Sequence, residues 1–171
     1  MIIRPYQPAD LPLLKAITVE AFTGVSIDHG IEEQFGPINY HDWKWRKARH
    51  IDDDVARDPA GIFVAVHGSP HAEREDGISR SEMPTKVVGY ITTWQDREAG
   101  IGHIPNIAIA PEFRGQGLGR LLIEHALAHF RASGLTHAKI ETLAQNAVGN
   151  HLYRDLGFVE VARQVHFVAK L

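Results

Sequence analysis

The sequence predicts an α/β domain built on a mixed, partly parallel β-sheet flanked by helices. Short apolar runs rich in Ile and Val recur at residues 2–6, 61–66, 87–94, 101–110 and 138–143. Stretches with helical character lie between or beside them, at 11–22, 41–57, 118–132 and 147–156. Beyond residue 100 the two kinds alternate as strand, helix, strand, helix, strand, the pattern in which crossover helices join parallel strands.

Ile2 to Tyr6 reads as the first strand. Asp10 is placed as the N-cap of the next helix, with Pro12 in its first turn, where a missing N–H costs little. Leu11, Leu14, Ile17, Val19, Ala21 and Phe22 supply the apolar face, and Gly24 ends it. Residues 25–40 read as irregular, punctuated by Gly30, Gly36 and Pro37. His41 to Arg57 reads as a second helix that Asp58-Pro59 stops. Trp43 and Trp45, two residues apart, cannot share a helix face, so one of them packs in the core. Gly61 to Val66 is a buried strand, and residues 68–86, rich in Gly, Pro, Ser and charge, read as a flexible exposed loop between two strands. Val87 to Trp94 and Ile101 to Ala110 are strands joined by a turn at Asp96 to Gly100. Leu118 to Ala132 is a helix closed by Ser133-Gly134, Ala138 to Leu143 a strand, and Ala147 to Leu156 a helix closed by Gly157. Phe158 to Val168 returns as one or two strands. The whole chain, 1–171, reads as a single domain.

Composition narrows the function. The chain has 171 residues, with 18 basic and 21 acidic side chains and a net charge of -3, so there is no basic excess to grip nucleic acid. With no cysteine there is no disulfide framework, no thiolate metal site and no cysteine nucleophile. No apolar stretch approaches a membrane span, and the N-terminus lacks a secretory apolar run, so the expected compartment is the cytoplasm by elimination. His125 and His129 are four apart on a helix, but no Glu-x-x-His frame accompanies them, and they read as a solvated face rather than a metal pair. No metal is expected.

The most informative run is Pro111-Glu112-Phe113-Arg114-Gly115-Gln116-Gly117-Leu118-Gly119-Arg120, where a strand meets a helix. A helix start carries unpaired N–H donors and a positive dipole end. Glycines at alternate positions clear side chains, so a pyrophosphate could reach the bare backbone, and Arg114 and Arg120 add charge. A Walker loop would need Lys then Ser or Thr after its last glycine, where Arg120 and Leu121 stand. A dinucleotide fingerprint would need glycine at position 120 and would sit at the first strand.

The run fits Arg/Gln-x-x-Gly-x-Gly/Ala and resembles the signature of the GNAT N-acetyltransferases. The resemblance covers almost the full chain. Ile2-Ile3-Arg4-Pro5 and Pro8-Ala9-Asp10-Leu11-Pro12 look like that family's opening, and Asn106-Ile107-Ala108-Ile109-Ala110-Pro111 like its strand before the signature. Asn146, Leu152-Tyr153 and Leu156-Gly157-Phe158 match its closing pattern. The resemblance implies a splayed sheet that binds acetyl-coenzyme A. Arg114, Gly115, Gln116, Gly117, Leu118, Gly119 and Arg120 would hold the pyrophosphate, Ile107, Ala108 and Ile109 would pair with the pantetheine arm, and Asn146 would help hold that arm or cap the following helix. Pro105, lacking a ladder donor, is acceptable in the strand only at a bulge or splay point.

The implied reaction is acetyl transfer to an amine acceptor by direct attack in a ternary complex. Tyr153 falls at the family position whose hydroxyl faces the coenzyme sulfur and would be the general acid. Two residues compete as base. Glu141, five before Asn146, resembles the glutamate of ribosomal-protein N-terminal alanine acetyltransferases. His103 lies on the facing strand near where histone-type members carry a catalytic glutamate. Asp28, Glu32 and Glu33 lie in the segment where the family places acceptor-binding elements and would suit a cationic amine. The alternative reading is a non-catalytic sensor of acyl-coenzyme A. A monomer or homodimer is expected.

Overall fold

The computed structural model describes residues 1–68 and 86–171; the loop expected at 68–86 lies, apart from its two end residues, outside the described residues. The strands are β1 (Ile2–Pro5), β2 (Ile62–His67), β3 (Lys86–Asp96), β4 (Ile101–Ile109) and β5 (His137–Ile140), hydrogen-bonded in that order into one five-stranded sheet. Neighbours among the first four are antiparallel and β5 runs parallel to β4. The helices are α1 (Leu11–Ala21), α2 (Ile27–Phe35), α3 (Trp43–Arg57), α4 (Leu118–Ala132) and α5 (Ala147–Asp155). No helix among the described residues is long and apolar enough to cross a membrane.

Two cores sandwich the sheet. On one face Leu14, Ile17 and Ile51 of α1 and α3 pack on Ile62, Val64, Tyr90 and Ala108. On the other, Leu118, Leu122, Ala126 and Phe130 of α4 pack on Phe63, Val88, Ile91 and Ile104, with Tyr153 and Leu156 joining at the margin. Gly102 lets Phe130 approach: a Cβ there would stand 2.5 Å from the ring. Trp43 is the buried tryptophan of α3 and Trp45 is half-exposed, as the two-residue spacing requires.

β4 carries a bulge at Pro105. Thr92 pairs with Asn106 and Trp94 with His103, so two steps along β3 match three along β4. The extra residue flips the alternation. Before it, Gly102 and Ile104 face α4; after it, Asn106 and Ala108 face α1 and α3. The proline thus sits where its missing donor is tolerated.

Four expectations need correction. Residues 27–35, read as irregular, form α2: Ser26 accepts from Asp28 N at 3.2 Å as its cap, and Gly36 ends it at φ 70°. Asp28 and Glu32 then face Arg46 of α3 at 3.5 and 3.7 Å, so this helix is fixed by tertiary pairing that local propensity does not reveal. Asp10 makes no side-chain cap to α1; its carboxylate binds Arg4 through two 2.8 Å contacts and accepts from Gln7 N at 2.8 Å, tying β1 to the turn before α1. Residues 158–171 adopt no regular structure: Val161 is 92% and Phe167 91% exposed, and without a ladder partner the alternating pattern has no face to bury. His125 and His129 are not a solvated face, because both rings meet Phe63 edge-on, at 4.5 and 5.1 Å between centroids.

Candidate active site

The pairing of β5 with β4 runs only from Ile101↔His137 to Ile104↔Ile140, while β4 continues to Ile109. Past the bulge the two strands part, leaving the β5-side edge of Ile107, Ala108 and Ile109 without a ladder partner. β5 is shorter than the sequence predicts, and Glu141 lies just beyond its end.

The glycine turn opens at the carboxyl end of β4. Gly115 has φ 73° and Gly117 φ 80°, a left-handed backbone that side chains disfavour. A Cβ at either position would meet nothing within 4 Å, so the space above the turn is clear. Leu121 N donates to Gly117 O at 3.1 Å as the first helical bond of α4. The N–H groups of Leu118, Gly119 and Arg120 precede it and have no intrahelical acceptor. This is a cradle of donors that fits a pyrophosphate. Arg114 Nε donates back to Ile109 O at 3.1 Å and fixes the turn to the strand. Gln116 Nε2 reaches Glu112 O at 3.3 Å.

Two members of the signature do something else. At Gly119 a Cβ would come within 3.1 Å of Leu152 Cδ2, so that glycine serves the approach of α5 to α4. Arg120 extends toward Glu124 at 3.9 Å and Asp155 at 3.7 Å, so part of its charge is already matched.

Asn146 caps α5, accepting from Gly149 N at 3.1 Å and donating to Thr142 Oγ1 at 2.8 Å. Tyr153 lies one turn beyond Gly149, whose added Cβ would stand 3.3 Å from the hydroxyl. Burial pushes the Tyr153 hydroxyl up to about 12, so it keeps its proton at neutral pH. Its ring lies on the α4 face of the sheet, with Ile107 and Ile109.

His103 lies on the opposite face. Its ring stacks on Trp94, 3.8 Å between centroids and 9° between planes, and Arg57 of α3 stands 5.1 Å from the same indole. Burial pulls the imidazole below its ordinary value and the charge of Lys139 pulls further, against Asp96 and Glu141 and with Arg57. Glu141 is exposed and paired with Lys139 at 2.6 Å. Both base candidates therefore belong to one patch of the α3 face, across the sheet from Tyr153.

Sequence reasoning missed a buried polar group on that face. Asp54 Oδ2 accepts from Thr92 Oγ1 and Asn106 Nδ2, both at 2.7 Å, and Asn106 Oδ1 accepts from Lys47 Nζ at 2.8 Å. Lys47 and Asn106 are 8% and 4% exposed. The signal in the sequence was a lone Asn inside the run Ile-Pro-Asn-Ile-Ala-Ile. Of the acids proposed for a cationic acceptor, Asp28 faces Arg46 and, at 3.4 Å, His50, and Glu32 accepts from Trp43 N, whereas Glu33 is exposed and lies 3.7 Å from His29.

Residues 28–158 match the family model of the acetyltransferase (GNAT) family. The chain belongs to the GNAT family. It is 29% identical over 163 residues to mycothiol acetyltransferase from Rhodococcus opacus, covering 91% of this chain and 50% of the relative. The chain thus spans about half the length of that curated relative. Among solved structures, the PaiA N-acetyltransferase of Thermoplasma acidophilum in complex with coenzyme A superposes with a TM-score of 0.64 at 18% identity, covering 92% of this chain and 89% of the other. A ribosomal-protein-alanine N-acetyltransferase from Brucella melitensis gives 0.56 at 24% identity, covering 95% and 86%. These likenesses establish the GNAT fold.

Proposed function

We propose that this domain transfers an acetyl group from acetyl-coenzyme A to a primary amine of a small molecule, peptide or protein N-terminus, by direct attack in a ternary complex. The observation that carries the reading is the juxtaposition of two features at one end of β4. The ladder to β5 stops at Ile104↔Ile140, and the left-handed Gly115 and Gly117 open a helix start beside it. A free strand edge and a donor cradle suit a ligand with an extended amide-bearing arm and a diphosphate.

Bound acetyl-coenzyme A supplies the thioester. The chain supplies the rest. Backbone N–H groups of 115–120 hold the diphosphate, and the free edge of Ile107 to Ile109 holds the arm and offers N–H groups to the developing oxyanion. Tyr153 approaches from the α4 face and, its hydroxyl raised by burial, carries a proton for the departing thiolate. His103 approaches from the α3 face. Its depressed value leaves the ring neutral at pH 7, able to take the proton of the amine, and Glu141, just beyond the end of β5, raises its basicity. His103 is favoured over Glu141 as base because Glu141 is exposed and held by Lys139.

The test is release of free thiol from acetyl-coenzyme A in the presence of polyamines, aminoglycosides, amino acids and peptides. Amine-dependent thiol release with an acetylated product supports the reading; coenzyme binding without transfer to any amine favours a sensor.

A further inference from the structure

The turn that opens α4 carries one residue that works against an anion. Glu112 stands three residues before Gly115, and its backbone belongs to the turn: Gln116 Nε2 donates to Glu112 O at 3.3 Å, and Arg114 N donates to Pro111 O at 3.2 Å. A hydrogen bond from Lys86 holds the Glu112 carboxyl below the usual carboxylate range, so it is a full anion at neutral pH. A fixed negative charge beside a diphosphate opposes its binding, and salt screens the effect.

The arginines of the turn do not outweigh it. Arg114 and Arg120 are its two cations, and Arg120 is shared between Glu124 at 3.9 Å and Asp155 at 3.7 Å. With histidine counted as neutral, the turn and the side chains its arginines pair with hold two cations against three anions, Glu112, Glu124 and Asp155. The backbone donors of the cradle would have to hold a diphosphate against that excess.

Lys86 removes the excess. Its Nζ lies 2.6 Å from Glu112 Oε1. It is the first residue of β3, and its ladder partner His67 is the last of β2. This one ladder rung holds two successive residues of the turn: Lys86 meets Glu112, and the His67 ring lies 5.2 Å from that of Phe113, with Lys86 Nζ 5.6 Å from the same ring. Phe113 packs against both cores, so the turn keeps a fixed place against the ladder. The Lys86 and Glu112 side chains are 61% and 51% exposed, and exposed pairs contribute little to folding, so the effect of this one on a ligand is separable from its effect on the fold.

We infer that Lys86 is a positioning residue of the coenzyme site, which neutralises Glu112 and so lets the glycine turn accept a diphosphate without itself touching the ligand. This rests on the coenzyme-binding reading above and adds to it a residue that lies on another strand, outside the signature.

The experiment measures coenzyme A affinity by calorimetry for the full chain, Lys86→Met, Lys86→Arg, Glu112→Gln and the double variant Lys86→Met/Glu112→Gln, at about 20 mM and about 500 mM salt. The same set is titrated with 3′-dephospho-coenzyme A. At low salt Lys86→Met should weaken binding by about 3–10-fold, while Lys86→Arg keeps it and Glu112→Gln binds at least as tightly as wild type. The double variant should return to within about 2-fold of wild type, since without the carboxylate there is nothing to neutralise. The loss should shrink at high salt and be the same for the dephospho ligand, with Tm unchanged to within about 2 °C. Unchanged affinity in Lys86→Met overturns the inference. A loss that persists in the double variant overturns it by making Lys86 a direct ligand, and a loss that the dephospho ligand abolishes does so by placing Lys86 on the 3′-phosphate. A loss shared by Lys86→Arg together with a larger fall in Tm overturns it by making the lysine structural. No binding of coenzyme A to the wild type overturns the coenzyme-binding reading itself.

Discussion

Lys47 Nζ on α3 donates to Asn106 Oδ1 on β4 at 2.8 Å, in a site where both residues are nearly sealed from solvent. The same asparagine donates to Asp54 Oδ2, and its backbone N–H donates to Thr92 Oγ1 at 3.1 Å. Asn106 is the first residue after the Pro105 bulge, so this network fastens β4 to α3 at the point where the strand changes face and leaves β5. Burial pulls the Lys47 ammonium below its ordinary value, with Asp28 and Asp54 opposing.

Asn106→Ala removes the acceptor of a buried ammonium and one donor to the half-buried Asp54 carboxylate. It should destabilise the fold by about 2–4 kcal/mol, because the cost is that of stranded charge rather than of one hydrogen bond. Urea denaturation reads this directly, and a loss below about 0.5 kcal/mol would mean that water replaces the amide at no cost.

Much of the fold was legible because its local signals agree. α4 begins and ends where the glycine turn and Ser133-Gly134 place it, and the proline in β4 marked the bulge. What escaped depends on distant partners. α2 contains Gly30 and few apolar residues, and is fixed by Arg46, eighteen residues after Asp28. Asp10 satisfies both a cap pattern and an ion pair with Arg4, and the sequence does not show which it takes. At the site, the glycine turn and Asn146 as a cap could be anticipated. The roles of Gly119 and the Lys47–Asn106–Asp54 group could not, because each depends on which helix lands opposite.

Gly117→Asp should abolish coenzyme A binding. The substitution puts a β-carbon on a backbone at φ 80° and a carboxylate over the donor cradle. Calorimetry on a variant shown to be folded checks this; retained affinity would mean that the ligand lies elsewhere.

Tyr153→Phe removes one hydroxyl and should leave coenzyme A affinity intact while lowering kcat by about 10²-fold. Single-turnover measurement separates this loss from product release. Unchanged chemistry would make Tyr153 a packing residue of the α4 face.

His103 and His125 are both held below the ordinary histidine value, burial being the first cause for each. The folded state therefore binds protons less readily than the unfolded chain, whose histidines titrate near about 6.5. Their linked stability is present above that pH and is lost as the pH falls through the window between about 6.5 and the depressed folded values. Thermal melts should show Tm falling as pH drops from about 7.5 to 5, with a shallower slope in His103→Gln. A Tm that is flat or rises on acidification would contradict the burial of these rings.

Amine acetylation with His103 as the base is tested most directly by the pH dependence of kcat/KM for one acceptor amine in wild type, His103→Gln and Glu141→Gln. The expected result is an acidic limb in wild type below the ordinary histidine value, its loss in His103→Gln with acetyl-coenzyme A binding intact, and its persistence with a small displacement in Glu141→Gln. A limb that survives in His103→Gln and disappears in Glu141→Gln would contradict this assignment and make Glu141 the base.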